Sequence, residues 1–259
     1  MNGENKPLLV LFGGVSWSGT KPLCETLHRC QKIAHHGLVH ENNILYYLYC
    51  LQTDPKQAKR YFDERHKYRV QSAIELNDEQ LDLTYLQNIF KKRTTIHTYI
   101  KYYLDCWEKN KSKGYIGVSD FSCSNAILSS DFLKSIKTEL EKHFTVKTIL
   151  IFRNPVRRWY SEASVEYQYN TGKHPKEWKG GTADVMGYKD SIEYWKSKRI
   201  DHNCDYLQIY KNYKSVFETH PIIMEEFWYD QSGLSKFLGR DIDIVNANVY
   251  CPYIGVNKD

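Results

Sequence analysis

The chain has 259 residues, 41% of them hydrophobic and 26% charged, with 14 glycines and 7 prolines, a balance that excludes a disordered or fibrous protein and supports one core without disulfides or a structural metal. Its formal charge of +5 is too weak to announce nucleic-acid binding but suits an anionic ligand. No run approaches the roughly 18 apolar residues of a membrane span, and the start, Met1 to Pro7, is polar and lacks a signal peptide's apolar segment. The seven cysteines are odd in number, widely spaced and never in a C-x-x-C pair, so they read as reduced core residues of a cytosolic protein. No repeat, low-complexity tract or linker marks a boundary, and residues 1–259 are taken as a single domain.

Leu8 to Phe12 is a short apolar run closed by Gly13 and Gly14, as expected of a buried parallel strand feeding a tight turn. Pro22 suits the first turn of a helix that continues through Leu23, Leu27 and Cys30 on one face. The apolar segment His36 to Val39 leads to Asn42 or Asn43 as N-cap of a helix through Ile44, Leu45, Leu48 and Leu51. Asp78 to Lys109 carries apolar residues at helical spacing and is expected to form two helical pieces. Tyr115 to Val118 reads as a strand, and Phe132, Leu133, Ile136, Leu140 and Phe144 as the stripe of a helix starting near Ser130. Val146 to Phe152 is a buried strand, and a helix is expected from about Val156 through Tyr167. Tyr206 to Phe217 is a later helix feeding a short strand, Ile222 to Met224. Strands separated by helices predict a parallel α/β sheet.

Two segments carry chemistry. Gly14-Val15-Ser16-Trp17-Ser18-Gly19-Thr20-Lys21 lies between strand and helix, where backbone N–H groups and the helix dipole make an anion site. It is not a Walker A motif, which needs Lys directly after Gly, so a nucleoside triphosphatase is disfavoured. Arg153-Asn154-Pro155-Val156-Arg157-Arg158-Trp159-Tyr160-Ser161 begins at a strand's C-terminal edge, with Ser161 about two turns into the next helix. Arg153 and Ser161 can converge on one phosphate, a charged fork and a hydroxyl donor. Taken alone, the first segment also fits a structural turn and the second a helix start with solvated arginines.

Together the two segments resemble the phosphosulfate-binding elements of sulfotransferases that use 3′-phosphoadenosine-5′-phosphosulfate (PAPS). The first is similar to their 5′-phosphosulfate loop. The second is similar to the 3′-phosphate element Arg-x-Pro-x-x-Arg-x-x-Ser, through Arg153, Pro155, Arg158 and Ser161. Glu225-Glu226-Phe227 and Phe237-Leu238-Gly239 resemble the family's acidic-Phe segment and closing Phe-Leu-Gly. The resemblance, nearest to the heparan-sulfate and Golgi-type branch, implies a P-loop-like three-layer fold with a central parallel sheet flanked by helices. It also implies PAPS as sulfuryl donor, adenosine 3′,5′-bisphosphate (PAP) as product, and a small-molecule or glycan acceptor.

In that branch a Val-Lys-Glu ends the strand after the first helix, and its Glu is the general base. Here Val39-His40-Glu41 occupies the matching place, which implies Glu41 as base, with Asp120 at the end of another strand as its rival. Trp17 stands where the resembled loop usually has Lys or Arg, and His40 where it has Lys. Lys21 and His40 are the candidates to supply the missing positive charge. No metal is implied, because the histidines and cysteines lack ligand spacing. A sulfotransferase-like binding protein without catalysis and a P-loop kinase are the alternatives.

Overall fold

The computed structural model describes residues 6–15, 18–35, 43–61, 94–158, 205–227 and 229–239. Among the described residues five strands, β1 (Leu8–Phe12), β2 (Ile33–Ala34), β3 (Gly117–Asp120), β4 (Thr145–Phe152) and β5 (Glu218–Ile223), make one sheet. Its order is β2-β3-β1-β4-β5, with every neighbouring pair parallel. The described helices are α1 (Thr20–Gln31), α2 (Ile44–Thr53), α3 (Pro55–Tyr61), α4 (Ile96–Lys111), α5 (Ser130–His143), α6 (Tyr206–Lys214), α7 (Met224–Phe227) and α8 (Ser232–Leu238), with a 3-10 turn over Cys123–Ile127.

Side chains alternate along a strand, so each strand feeds two cores. Leu9 and Leu11 of β1 and Leu150 of β4 pack with Leu45, Tyr103, Leu133 and Tyr213 of α2, α4, α5 and α6. Val10, Phe12, Ile149 and Ile151 pack on the other face with Leu23 and Leu27 of α1 and Leu234 of α8. The result is a three-layer α/β fold with a central parallel sheet flanked by helices. Each fully buried side chain such as Leu27 or Phe12 contributes about 1.5–3 kcal/mol. Tyr99, Tyr102, Tyr103 and Tyr213 are themselves core residues.

Several boundaries differ from expectation. The strand expected at Tyr115 to Val118 lies two residues later, because Tyr115 turns to His28, its Oη 3.1 Å from Nε2. The helix expected to reach Phe217 stops at Lys214, where the Val216 N–H bonds only three residues back, to the Tyr213 carbonyl, in place of the α-helical four. The strand expected at Ile222 to Met224 spans Glu218–Ile223, and Met224 starts α7. β5 is an edge strand that tolerates Pro221, so it lacks the unbroken apolar run of a buried strand. The segment His36 to Val39, the first helical piece after Asp78, and the helix past Arg158 lie outside the described residues.

Among the described residues no helix is long and apolar enough to cross a membrane. Cys24, Cys50, Cys106 and Cys123 are buried and in no disulfide, and burial pushes the Cys106 thiol up to about 12.

Candidate functional site

In a parallel sheet the chain leaves every strand at the same edge, and a crevice opens where neighbouring strands send their connections in opposite directions. That point lies between β1, whose chain goes on to β2 at one end of the sheet, and β4, whose chain goes on to β5 at the other. The loop after β1 and the segment after β4 therefore flank one crevice.

The loop is built for close approach. The N–H of Gly13 donates to the Ile149 carbonyl at 3.1 Å, tying the loop to β4. A Cβ on Gly14 would fall on the Phe12 ring and lie 2.5 Å from Ile151 Cγ2. Phe12 is fully buried and stacked on Phe121 with ring centroids 4.9 Å apart, so it has no room to yield. Gly19 is the N-cap of α1 at φ 86°, a left-handed conformation suited to glycine. α1 has no acidic residue in its first turn, which leaves its positive dipole end without a carboxylate of its own. Val15 and Ser18 are buried, and Ser18 Oγ has no hydrogen-bond partner among the described residues. A buried hydroxyl left unpaired costs about 1–3 kcal/mol, which an anion's oxygen would recover. Thr20 Oγ1 accepts from Cys123 Sγ at 3.7 Å. Lys21 is the second residue of α1 by its backbone, and its side chain lies outside the described residues, as do Ser16 and Trp17.

Arg153 follows β4 directly and is half-buried. Asn154 caps the helical turn over 155–158, its Oδ1 accepting from the N–H groups of Val156 at 3.1 Å and Arg157 at 3.2 Å. The N–H of Asn154 is taken by both carboxylate oxygens of Glu225, at 3.1 and 3.2 Å. Protein groups thus close this helix start. Gly14 abuts Ile151, two residues before Arg153, and Gly19 abuts Met224, next to Glu225. These contacts bring the glycine loop and the Arg153 segment to the same crevice. Ser161 lies outside the described residues.

On the other side of the loop, β3 ends in a polar knot. Asp120 is fully buried. Its Oδ1 accepts from Ser122 Oγ at 2.6 Å and the Ser122 N–H at 3.1 Å, and its Oδ2 from Tyr99 Oη at 3.0 Å and Asn125 Nδ2 at 3.2 Å. Burial raises the Asp120 carboxyl above its ordinary value, and the hydrogen bonds from Ser122, Asn125 and Tyr99 pull it back only in part. Burial, with the Asp120 charge second, lifts the Tyr99 and Tyr213 phenols well above theirs. Ser122 Oγ also accepts the Asn43 N–H at 2.9 Å, and Ser124 Oγ donates to Asn43 Oδ1. Asn43 is the N-cap of α2, at φ 54° and with no side-chain cap bond, because its amide serves the β3 knot instead. The rival base Asp120 therefore spends its oxygens on donors of the fold. His40 and Glu41 lie outside the described residues.

Sequence reasoning missed the clamp on Asn154, although Glu225 had been singled out, and missed Ser122 and Tyr99 altogether. The polar run Ser119 to Asn125, broken only by Phe121 and Cys123 at the end of a strand, was the available signal. Among the described residues no three His, Cys, Asp or Glu side chains group to hold a metal. The described residues place a buried hydroxyl, Ser18 Oγ, in the glycine loop, with the Arg153 segment on the neighbouring strand.

No protein-family model and no curated protein matches the chain. Among solved structures it is similar to the sulfotransferase domain from the Synechococcus PCC 7002 olefin synthase, with a TM-score of 0.48 and 14% identity over 99% of this chain and 82% of that one. It is also similar to the sulfotransferase domain from the curacin biosynthetic pathway, with a TM-score of 0.46 and 14% identity over 97% of this chain and 81% of that one. The fold assignment rests on the strand order and register.

Proposed function

We propose that the protein is a PAPS-dependent sulfotransferase acting on a hydroxyl or amine of a small-molecule or glycan acceptor. The observation that carries this reading is the meeting, at one crevice, of a glycine loop holding a buried hydroxyl that has no partner among the described residues and an arginine at the end of the neighbouring strand. The loop from Gly14 to Lys21, with Ser18, would hold the 5′-phosphosulfate, and Arg153 with Ser161 the 3′-phosphate. When bound, PAPS supplies a sulfuryl group on a phosphate leaving group. Glu41 takes the acceptor's proton. Lys21 and His40 hold positive charge beside the phosphate, a role that Trp17 has no means to fill. Fixed donors and cations do this without a metal. The four buried cysteines outside any disulfide fit a reducing compartment, and the cytosol is the location proposed.

A nucleotide-binding protein that has lost transfer is the second reading, favoured by Trp17 and His40 at positions where the resemblance expects cations. A kinase is disfavoured by Gly19-Thr20-Lys21, which lacks the Gly-Lys pair. Thermal shift with three nucleotides tests the donor. PAP stabilises the fold, by about 2.7 kcal/mol at a hundredfold excess over Kd, while ATP and adenosine 5′-monophosphate do not. Equal shifts with all three would discard the 3′-phosphate clamp.

A further inference from the structure

The chain leaving β4 is held by a carboxylate from a distant element. The β4–β5 ladder closes with Phe152 opposite Ile223. Two residues further along each chain, Glu225 receives the Asn154 N–H on both carboxylate oxygens, at 3.1 and 3.2 Å, so a side chain continues the pairing that the backbone has ended. Arg153 stands between these two fastenings, with the ladder before it and the Glu225 bond after it. Glu225 is itself anchored. It sits in α7, whose Phe227 is 3% exposed and belongs to the same core as Leu23 and Leu27 of α1. The preceding residue, Met224, lies 3.1 Å from where a Cβ on Gly19 would be. The short α7 thus braces the Arg153 segment against the glycine loop and the first helix. Like charges repel, so a carboxylate beside an arginine that receives a phosphate works against binding unless it holds that arginine in place.

We propose that Glu225 is a positioning residue for the donor's 3′-phosphate: by taking the Asn154 N–H it fixes the backbone of Arg153, and with it the point from which the guanidinium binds. The inference rests on the reading of Arg153 as a 3′-phosphate ligand. Without the bond, the segment after Phe152 samples other arrangements, and the apparent Kd rises in inverse proportion to the fraction of molecules in the competent one; a fraction of about one tenth raises it about tenfold. The 5′ end of the donor belongs to the glycine loop, so the loss is confined to ligands that carry a 3′-phosphate.

The test measures the Kd for PAP and for adenosine 5′-monophosphate by titration, on the wild type, Glu225→Ala, Glu225→Gln, Arg153→Ala and the Arg153→Ala/Glu225→Ala double variant. Glu225→Ala is expected to weaken PAP about tenfold and to leave the weak binding of the monophosphate within about twofold. Glu225→Gln keeps a side-chain oxygen for the Asn154 N–H and sheds the charge, so it binds PAP at least as tightly as the wild type. In the Arg153→Ala background the Glu225→Ala change costs less than about twofold further, because the group it positions is gone. Should Glu225→Ala fail to fold, Glu225→Asp, which keeps the charge and draws the acceptor back by one methylene, shows the same selective loss to a smaller degree. Equal losses for the two ligands, wild-type PAP affinity in Glu225→Ala, a loss in Glu225→Gln as large as in Glu225→Ala, or additive losses in the double variant overturns the proposal. Wild-type protein that binds PAP no more tightly than the monophosphate overturns the 3′-phosphate reading of Arg153 and this proposal with it. That failure is read on the wild type, so it is distinct from a failure read on the variants.

Discussion

Replacing Gly14 by alanine tests the anion cradle at its tightest point. The added methyl would collide with the Phe12 ring and lie 2.5 Å from Ile151 Cγ2. Neither neighbour moves freely: Phe12 is stacked on Phe121, and both Phe12 and Ile151 are fully buried. The loop backbone is the softer partner and should be displaced into the crevice. Overpacking of this kind costs about 1–3 kcal/mol, and at about 2–4 °C per kcal/mol for a domain of this size the Tm should fall by about 2–12 °C. A loop N–H donating to a charged phosphate contributes about 1.5–3 kcal/mol. Losing one therefore weakens PAP binding by about 10- to 150-fold. Isothermal titration on folded Gly14→Ala protein, below its lowered Tm, separates the two effects. A fall in Tm with PAP affinity within twofold of wild type would refute the cradle and leave Gly14 as a packing residue.

Arg153→Ala should cost at least about 2 kcal/mol of PAP binding through a lost charged contact and leave the weak binding of adenosine 5′-monophosphate unchanged; equal losses for both ligands in titration would remove Arg153 from the 3′-phosphate. The Asp120 carboxyl is raised above its ordinary 3.8 by burial, so its stabilising contribution is complete below about that pH and is lost as pH rises through the higher folded value. Asp120→Asn carries no such proton, and the stability gap to wild type in urea melts should be wider near pH 4 than at pH 7; a gap that widens with pH would mean that the four hydrogen bonds outweigh burial. With its thiol pushed up to about 12, Cys106 should resist iodoacetamide at pH 8 in the folded protein and react after denaturation, as mass spectrometry would show; rapid labelling of the native state would contradict its burial.

The elements that the sequence revealed are those whose signal is local. β1 is a continuous apolar run and β4 closes in one, Ile149 to Phe152, because both faces of the sheet are covered, and α5 shows its apolar stripe directly. The glycine loop was legible because close backbone approach demands glycine. β5 was blurred because an edge strand with a proline has no such run. The links around the site join residues far apart in sequence: Asn43 to Ser122 across 79 positions and Asn154 to Glu225 across 71. Nothing in the spacing of single residues encodes such pairs. Asp120 illustrates the limit: its place at a strand end suggested a base, and only the four converging donors disclose a fastened carboxylate.

The central claim is that the crevice between β1 and β4 serves sulfuryl transfer rather than nucleotide storage, and one labelling experiment addresses it. Protein is incubated with [35S]PAPS and an acceptor library, with the fate of the label and the amount of PAP followed together. The account predicts label on an acceptor hydroxyl or amine, or as sulfate in water, matched one for one by PAP. In Glu41→Gln, which keeps shape but removes the proton acceptor, this transfer should fall by roughly 10²–10⁴ with PAP affinity little changed. Tight PAP binding with the label still on PAPS would contradict it, and would make the chain a nucleotide-binding protein in which Trp17 marks the loss of the chemistry.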